Sequence, residues 1–459
     1  MTQPTSLRAL WQLHQQGQVR AAESGYRALL SARPEDPFAW CYLGIALADQ
    51  RRFNEAIAAY ERSLELQANV PETWNNLGNA LRGAKRYEQA EVAFDRAVEL
   101  RPGYALAELN RGTARTWRGD LDGALTTFER AAQLAPENPD IRRNLGVLRL
   151  LQGDYSRGWP AYRARWQMKG FHRPAPAATC WRGDNPAGCT FFLYPEQGLG
   201  DLIQFVRMAQ VLKQRGARTI VGCPPRMFGL LQTCPGIDVL VGEGMQTPRW
   251  DVHCSLLEVA EHLVATPAEI PSQVPYAHAA DRLIEYWKRW LGQQLPPGKR
   301  IGLAWQGNPQ HEADGFRSIP LSALEPLRQI EGTSWLALQH GYGIEQIAGT
   351  QWAAGPRALH RLPPDTDQTS GAFMDSAAVL TQLDLLITTD TSIAHLAGAL
   401  GCPVWLLLCA VPDWRWGLTV DQSPWYPTMR LWRQSSMGDW SGVIQQVKDA
   451  LRDFVADGV

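Results

Sequence analysis

The sequence has no long apolar run. Its longest uninterrupted apolar stretch, Val404 to Val411, is eight residues. A bilayer-spanning helix needs about 20, so no membrane span is expected. The N-terminal stretch MTQPTSLRALWQLHQQGQ lacks an apolar core of signal-peptide length. An excess of either charge is also missing. Lys plus Arg number 45 and Asp plus Glu 46, for a net charge of −1. That balance excludes the basic footprint of a nucleic-acid partner. Cysteine is sparse, eight in 459 residues, with no CxxC pair and no His cluster nearby. Neither a disulfide scaffold nor a structural zinc site fits that spacing. The expectation is a cytoplasmic protein with reduced, mostly buried thiols and no metal. Hydrophobic residues at 45% and charged residues at 20% exclude a disordered chain. The length is a prior for about three domains. Tryptophan is the one residue in excess, at 19; it serves cores and binding surfaces alike.

The first third repeats itself every 34 residues. Trp40 and Trp74 are one period apart, and Leu43-Gly44 recurs as Leu77-Gly78, Arg111-Gly112 and Leu145-Gly146. Ala22, Ala56, Ala90 and Ala124 keep the spacing, as do Tyr26, Tyr60, Phe94, Phe128 and Tyr162. Pro34, Pro102 and Pro136 close their units, with Ala68 where the second unit's proline would stand. This is the tetratricopeptide (TPR) pattern: two helices per unit, small residues for close approach and an aromatic to fill the gap. Five units fit, at about 3–36, 37–70, 71–104, 105–138 and 139–170. Such units stack into a superhelix with a concave groove. Asn76, Asn110 and Asn144 recur one residue before the Leu/Arg-Gly pair. Each carboxamide can donate to and accept from a peptide backbone, so a ladder of them can hold an extended polypeptide. The alternative is a generic role inside the repeats. Arg8 and Tyr42 occupy that position in the first two units, so the ladder is partial.

The rhythm stops after about Met168. Pro174, Pro176, Gly183 and Pro186 then prevent a continuous helix. Beyond them apolar strands alternate with helices. Strands are expected at Phe191–Tyr194, Thr219–Gly222 and Ile237–Val241, with Trp250–Ser255 a further candidate. Helices are expected at Leu199–Gln214 and Arg226–Thr233. A Pro-rich stretch crosses 264–277. A second series has strands at Ile301–Trp305, Trp335–Gln339, Leu385–Thr388 and Val404–Leu408, and helices at Leu321–Arg328, Phe373–Gln382, Ser392–Leu400 and Ser441–Val455. Alternation of this kind implies parallel sheets covered on both faces. Two series suggest two Rossmann-like lobes facing a cleft, with ligand outside the carboxyl ends of the strands. The expected organisation is an array over 3–170, a linker over 171–190, one lobe over 191–280 and another over 298–459.

Three segments can carry chemistry. Glu196-Gln-Gly198-Leu-Gly200-Asp201 follows a strand and opens a helix. Its glycines permit a tight turn and close backbone approach, and Asp201 is either an N-cap or a general base. The turn is not a complete GxGxxG fingerprint. Asp390-Thr391-Ser392-Ile-Ala-His395 lies at a second strand-to-helix junction. A helix N-terminus there holds anions, phosphate above all; the alternative is ordinary capping, with His395 packed on the sheet. Asn308 ends a strand and Arg317 precedes a helix. The guanidinium either reaches an anion at the cleft mouth or pairs with a surface carboxylate. Asp365-Thr-Asp367 has the DxD form of some metal sites, but two prolines before it and Gln-Thr-Ser-Gly after it indicate a loop. Residues 421–434, rich in Trp and Arg, suggest no mechanism.

EQGLGDLIQFVRMAQVLKQRG resembles the first strand–loop–helix of heptosyltransferase-type glycosyltransferases. DTSIAHLAGALGCPVWLLL resembles that family's nucleotide-diphosphate motif, and FRSIPL resembles the segment that carries a phosphate-contacting basic residue. The resemblance covers about 190–455. A repeat array followed by a two-lobed (GT-B) transferase is similar to protein O-GlcNAc transferases and to bacterial enzymes that glycosylate surface proteins such as flagellin. The resemblance implies an inverting, metal-independent glycosyltransferase, with the acceptor on the N-terminal lobe and the nucleotide sugar on the C-terminal lobe. It implies Asp201 as general base. Gly198 and Gly200 would give the donor room, and Thr391, Ser392 and Arg317 would meet the diphosphate, with Asn308, Asp390 and His395 beside them. The donor is a substrate, so no resident cofactor is expected, and its base is not legible. The other readings are a TPR adaptor carrying a non-catalytic transferase fold, and a transferase acting on a glycan or lipid-linked acceptor.

Overall fold

The computed structural model describes residues 6–310 and 313–456. Positions 3–5 of the expected array and 457–459 of the expected last lobe lie outside them. The chain divides into two compact units, Met1–Arg149 with Pro160–Met168, and Leu150–Trp159 with Lys169–Val459. No helix among the described residues is long and apolar enough to cross a membrane.

The first unit is built of helices α1 (Leu7–Gln15), α2 (Val19–Ala32), α3 (Pro37–Asp49), α4 (Phe53–Leu66), α5 (Pro71–Gly83), α6 (Tyr87–Leu100), α7 (Ala105–Arg118) and α8 (Leu121–Leu134). They are followed by α9 (Pro139–Leu151) and α10 (Tyr155–Tyr162). Proline opens α3, α5 and α9, where its missing N–H costs nothing. Asp36 caps α3 by accepting from the N–H groups of Phe38 and Ala39. The turns within each pair have a 34-residue rhythm of their own: Gly17, Arg51, Lys85, Gly119 and Gly153 all have φ between 60° and 92°. The glycine–aromatic spacing has a direct cause. A Cβ on Gly44, Gly78 or Gly112 would lie 2.6, 2.5 or 2.6 Å from the ring of Tyr60, Phe94 or Phe128. In the first repeat Leu10 stands where the others have glycine, and Gly25 on the facing helix makes the room instead.

The second unit holds two parallel sheets. The first contains β1 (Thr190–Tyr194), β2 (Arg218–Gly222), β3 (Val239–Val241) and β4 (Val252–Ser255), in the order β3-β2-β1-β4. The second contains β5 (Lys299–Ala304), β6 (Thr333–Ala337), β7 (Leu359–Arg361), β8 (Leu385–Thr389), β9 (Val404–Leu408) and β10 (Met429–Arg433), in the order β10-β9-β8-β5-β6-β7. Read from the other edge, this is the 3-2-1-4-5-6 order of a doubly wound sheet. Its switch point lies between β5 and β8, and that of the first sheet between β1 and β4. The helices are α11 (Leu199–Phe205), α12 (Arg207–Gln214), α13 (Phe228–Leu231), α14 (Leu256–Leu263), α15 (Asp281–Gln294), α16 (Asp314–Arg317), α17 (Met374–Leu380), α18 (Ser392–Ala399) and α19 (Ser441–Ala456). Trp305, Trp335 and Trp352 are fully buried in the second sheet's core.

Several local expectations are corrected. The helix expected over Leu199–Gln214 is two segments that meet at Val206. Leu321–Gln329 is a 3-10 helix rather than an α-helix; Pro326 within it has no N–H to give an α-helical ladder. α14, α15, β7 and β10 were not anticipated. The segment 171–190 is docked rather than a bare connection. Cys180 bridges His253 in parallel, Trp181 donates its N–H to the His253 carbonyl at 2.9 Å, and Arg173 is ion-paired with buried Glu258.

Candidate functional site

Both switch points present their chemistry on the loops after the strands. After β1 the chain turns at Gly198, the N-cap of α11, so Gly200 and Asp201 are the second and third residues of that helix. Asp201 is therefore not the N-cap. Its carboxylate reaches back to the Gly198 backbone N–H, one half of a capping box. After β8, Thr391 is the N-cap of α18, but its hydroxyl bonds the Thr389 carbonyl and no side chain caps the helix. The Ala394 N–H bonds the Thr391 carbonyl at 3.0 Å, which leaves the N–H groups of Ser392 and Ile393 without a capping side chain.

These two helix starts pack against each other. A Cβ on Gly200 would lie 2.9 Å from Cδ2 of His395 and 3.5 Å from the Ser392 Cα. Only glycine permits this approach. Gly200→Ala is expected to displace the buried His395 and cost about 1–3 kcal/mol. Gly198→Ser places its Cβ in open space at an N-cap and is expected to be neutral or slightly stabilising. Chemical denaturation followed by tryptophan fluorescence compares the two; equal stabilities would show that the close approach is unimportant.

Asp390, Thr391, Ser392 and His395 come together at the start of α18, beside Gly200. His395 stacks on Trp416 with ring centroids 5.3 Å apart. Its Nδ1 is 3.0 Å from the Tyr426 hydroxyl, and its Nε2 is 3.9 Å from Asp390. Burial, reinforced by Arg415, Arg207 and Arg317, holds its pKa well below the ordinary value, so the ring is neutral. The Asp390 carboxyl is pushed up by burial and Asp413, and pulled down by Arg317, the Trp416 indole and Arg415. Arg317 is near enough to act on both groups, yet it also pairs with Asp314, Nε to Oδ1 at 3.4 Å. Asn308 stands apart: it is exposed on the loop beyond β5, where its Oδ1 accepts from the Gln310 N–H.

Asp201 faces a different neighbourhood. It lines a small concavity with Pro195, Glu196, Gln197, Phe205, Leu256 and Leu257. The loop after β1, α11 and the start of α14 directly after β4 supply it. Ser255 donates its hydroxyl to Glu196 and caps α14. Burial raises the Asp201 pKa; the Arg415 guanidinium opposes this, while Asp413 and Glu196 add to it.

The residues not foreseen lie outside the quoted motifs. Arg415 is ion-paired with Asp201 across the two sheets, and with Asp413 at 2.7 Å. Arg207 on α12 donates to the carbonyls of Pro271 and Trp425, both at 2.7 Å, with its guanidinium over the rings of Tyr276 and Tyr426. Trp425 and Tyr426 belong to the Trp-rich segment 421–434, whose composition was its only signal.

The repeat and DxD residues behave differently from one another. Asn110 donates to Asn75 at 2.9 Å and is buried, Asn144 accepts from Arg143 at 3.2 Å, and Asn76 is half-buried beside Cys41. Part of each carboxamide's capacity is thus engaged within the array. Asp367 accepts from the N–H groups of Asp375 and Ser376, so it caps α17.

The architecture is that of a tetratricopeptide-repeat array joined to a doubly wound α/β part. Residues 37–69 and 71–104 match the tetratricopeptide repeat family, and 114–153 match a TPR repeat family. Among curated proteins the chain is similar to Protein FlbA of Caulobacter vibrioides, 27% identical over 320 residues, covering 65% of this chain and 52% of that protein. The chain thus spans about half the length of this relative. The matched length exceeds the repeat array, so the likeness extends into the α/β part. Similar solved structures include MamA from Desulfovibrio magneticus RS-1, at 20% identity and TM-score 0.32, covering 35% of this chain and 89% of that one. The TPR protein TTC0263 of Thermus thermophilus is 24% identical with TM-score 0.31, covering 36% and 89%.

Proposed function

We propose that this chain is an inverting, metal-independent glycosyltransferase of the GT-B arrangement, moving a sugar from a nucleotide-sugar donor to a polypeptide acceptor recruited by the TPR array. The observation that carries this reading is the meeting of α11 and α18. Gly200 meets the start of α18, a helix N-terminus without a side-chain cap, and the next residue is the half-buried carboxylate Asp201. The donor diphosphate docks on the first-turn N–H groups at Thr391 and Ser392. Arg317 adds positive charge and neutral His395 offers a ring nitrogen. Asp201 takes the proton of an acceptor hydroxyl seated in the adjoining concavity. The hydroxyl oxygen then attacks the anomeric carbon opposite the departing nucleoside diphosphate, which inverts the configuration.

As the leaving group departs, negative charge grows on its bridging oxygen. Fixed dipoles and guanidinium groups can meet that charge without reorganising. Asp367 of the DxD tripeptide is spent on capping α17, which favours this means of charge stabilisation. The Asn76, Asn110 and Asn144 side chains contribute their remaining hydrogen-bonding capacity to the acceptor backbone.

Calorimetry of the full chain against a panel of nucleotide sugars tests the donor half. One member of the panel is expected to bind. Binding of none would favour a protein-binding adaptor with a non-catalytic α/β part. Assays with polypeptide and free-glycan acceptors then separate protein glycosylation from transfer to a glycan or lipid-linked acceptor.

A further inference from the structure

Arg415 lies on the short turn Trp414–Trp416 beyond β9 of the second sheet, and Asp201 on the helix that follows β1 of the first. Their ion pair joins the two sheets. The guanidinium side chain is only 7% exposed. The rings of Trp414 and Phe205 flank it, with centroids 4.9 and 5.4 Å away. Trp414 is itself held edge-on by Trp159, at 5.1 Å, and Trp425, at 6.3 Å. Asp413 accepts both from the Nη1 of Arg415 and from its backbone N–H, at 2.7 and 3.1 Å. The turn therefore braces the arginine on one side while Nη2 bonds Asp201 on the other.

A buried ion pair of this kind is weak evidence for stability, because desolvation offsets the attraction. It is better explained by what it does to Asp201. A carboxyl in this position is disfavoured as an anion by burial and by the charges of Asp413 and Glu196. A protonated carboxyl cannot accept a proton from an acceptor hydroxyl.

We propose that Arg415 is the positioning residue for Asp201, clamping its carboxylate as an anion at the edge of the concavity so that it can serve as a base. This deepens the transferase reading and rests on it. Other charged groups approach α11 from the elements packed on it. Glu258 and Glu261 lie on α14, Arg207 lies on α12 and His395 on α18. Glu258 is paired with Arg173, Arg207 with the Pro271 and Trp425 carbonyls, and His395 is neutral. Arg415 is the cation bonded to the Asp201 carboxylate itself.

The test reads Asp201 directly. Carboxyl-13C NMR of Asp-labelled full-length protein, with Asp201→Asn identifying the signal, gives its titration in the parent, in Arg415→Gln and in Asp413→Asn. Removing the cation leaves burial unopposed, so the Arg415→Gln midpoint is expected at least one pH unit higher. The acidic limb of kcat/KM should move with it, a tenfold loss at a pH below both midpoints. Arg415→Lys should restore part of the shift. Asp413→Asn keeps the turn's acceptor oxygen and removes a like charge, so its midpoint should move the opposite way. An Asp201 titration unchanged in both Arg415→Gln and Asp413→Asn overturns the proposal. The NMR readout needs no turnover, so it stands even if Asp201→Asn retains full activity, the result that would instead refute Asp201 as base.

Discussion

Asp201→Asn is expected to lower kcat by about 100- to 10,000-fold, the range that a positioned general base contributes, with the fold intact. Asparagine is nearly isosteric and can still accept the Arg415 hydrogen bond, so the junction between the sheets retains its geometry. It cannot take a proton at neutral pH. Donor binding should respond with the opposite sign. The substitution removes a negative charge from beside Arg415, so an anionic diphosphate is expected to bind as tightly as before or more tightly. Steady-state rates with calorimetry of the donor separate the two effects. Parent-like turnover would remove Asp201 from the chemistry. Loss of donor binding in step with the rate would make it a binding residue instead.

The largest stability effect is expected in the repeat array, at Phe94. Its ring is fully buried and packs against Gly78 on the facing helix, where a Cβ would lie 2.5 Å from the ring. Phe94→Ala removes the ring and leaves a cavity, at a cost of about 3–5 kcal/mol. Gly78→Ala has two opposed terms. Alanine favours the helix over glycine by about 1 kcal/mol, while overpacking against a buried ring costs about 1–3 kcal/mol. The ring is fully buried, so the overpacking term is expected to prevail and give a net loss. In the double variant the alanine methyl enters space the ring has vacated. The combined loss should therefore fall short of the sum of the single losses by about 1 kcal/mol or more. Urea denaturation followed by circular dichroism measures all three. Strict additivity would mean that the glycine and the aromatic do not share one packing site.

The repeats were legible because their physics is local and recurs. Each glycine–aromatic pair meets within one helical hairpin, so a contact 16 residues apart in sequence appears as a spacing. The first repeat shows the limit of that reading. Leu10 replaces the glycine, Tyr26 keeps the aromatic position, and the neighbouring Gly25 makes room for the leucine, which periodicity at a single position does not reveal. In the α/β part, apolar runs marked the central strands because strands covered on both faces are apolar throughout. The edge strand β7 is three residues long and carries only Leu359 to the core, and β10 alternates with Arg430 exposed; neither forms a run. α15 does have a helical pattern, with Trp287 and Leu291 buried, but it follows directly on the Pro-rich crossing.

The sequence by itself determined the helical repeat, the alternation of strand and helix, and the two glycine- and hydroxyl-bearing junctions at 198–201 and 390–395. Each is written in neighbouring residues, through backbone freedom, capping and burial period. Only the tertiary structure decided which charges meet. Asp201 and Arg415 are 214 residues apart, and no spacing rule joins them. Their pairing depends on two separately built sheets closing on one another. The same closure buries His395 until it is neutral and brings Gly200 against Ser392, because electrostatic and steric contacts between elements depend on distance in space.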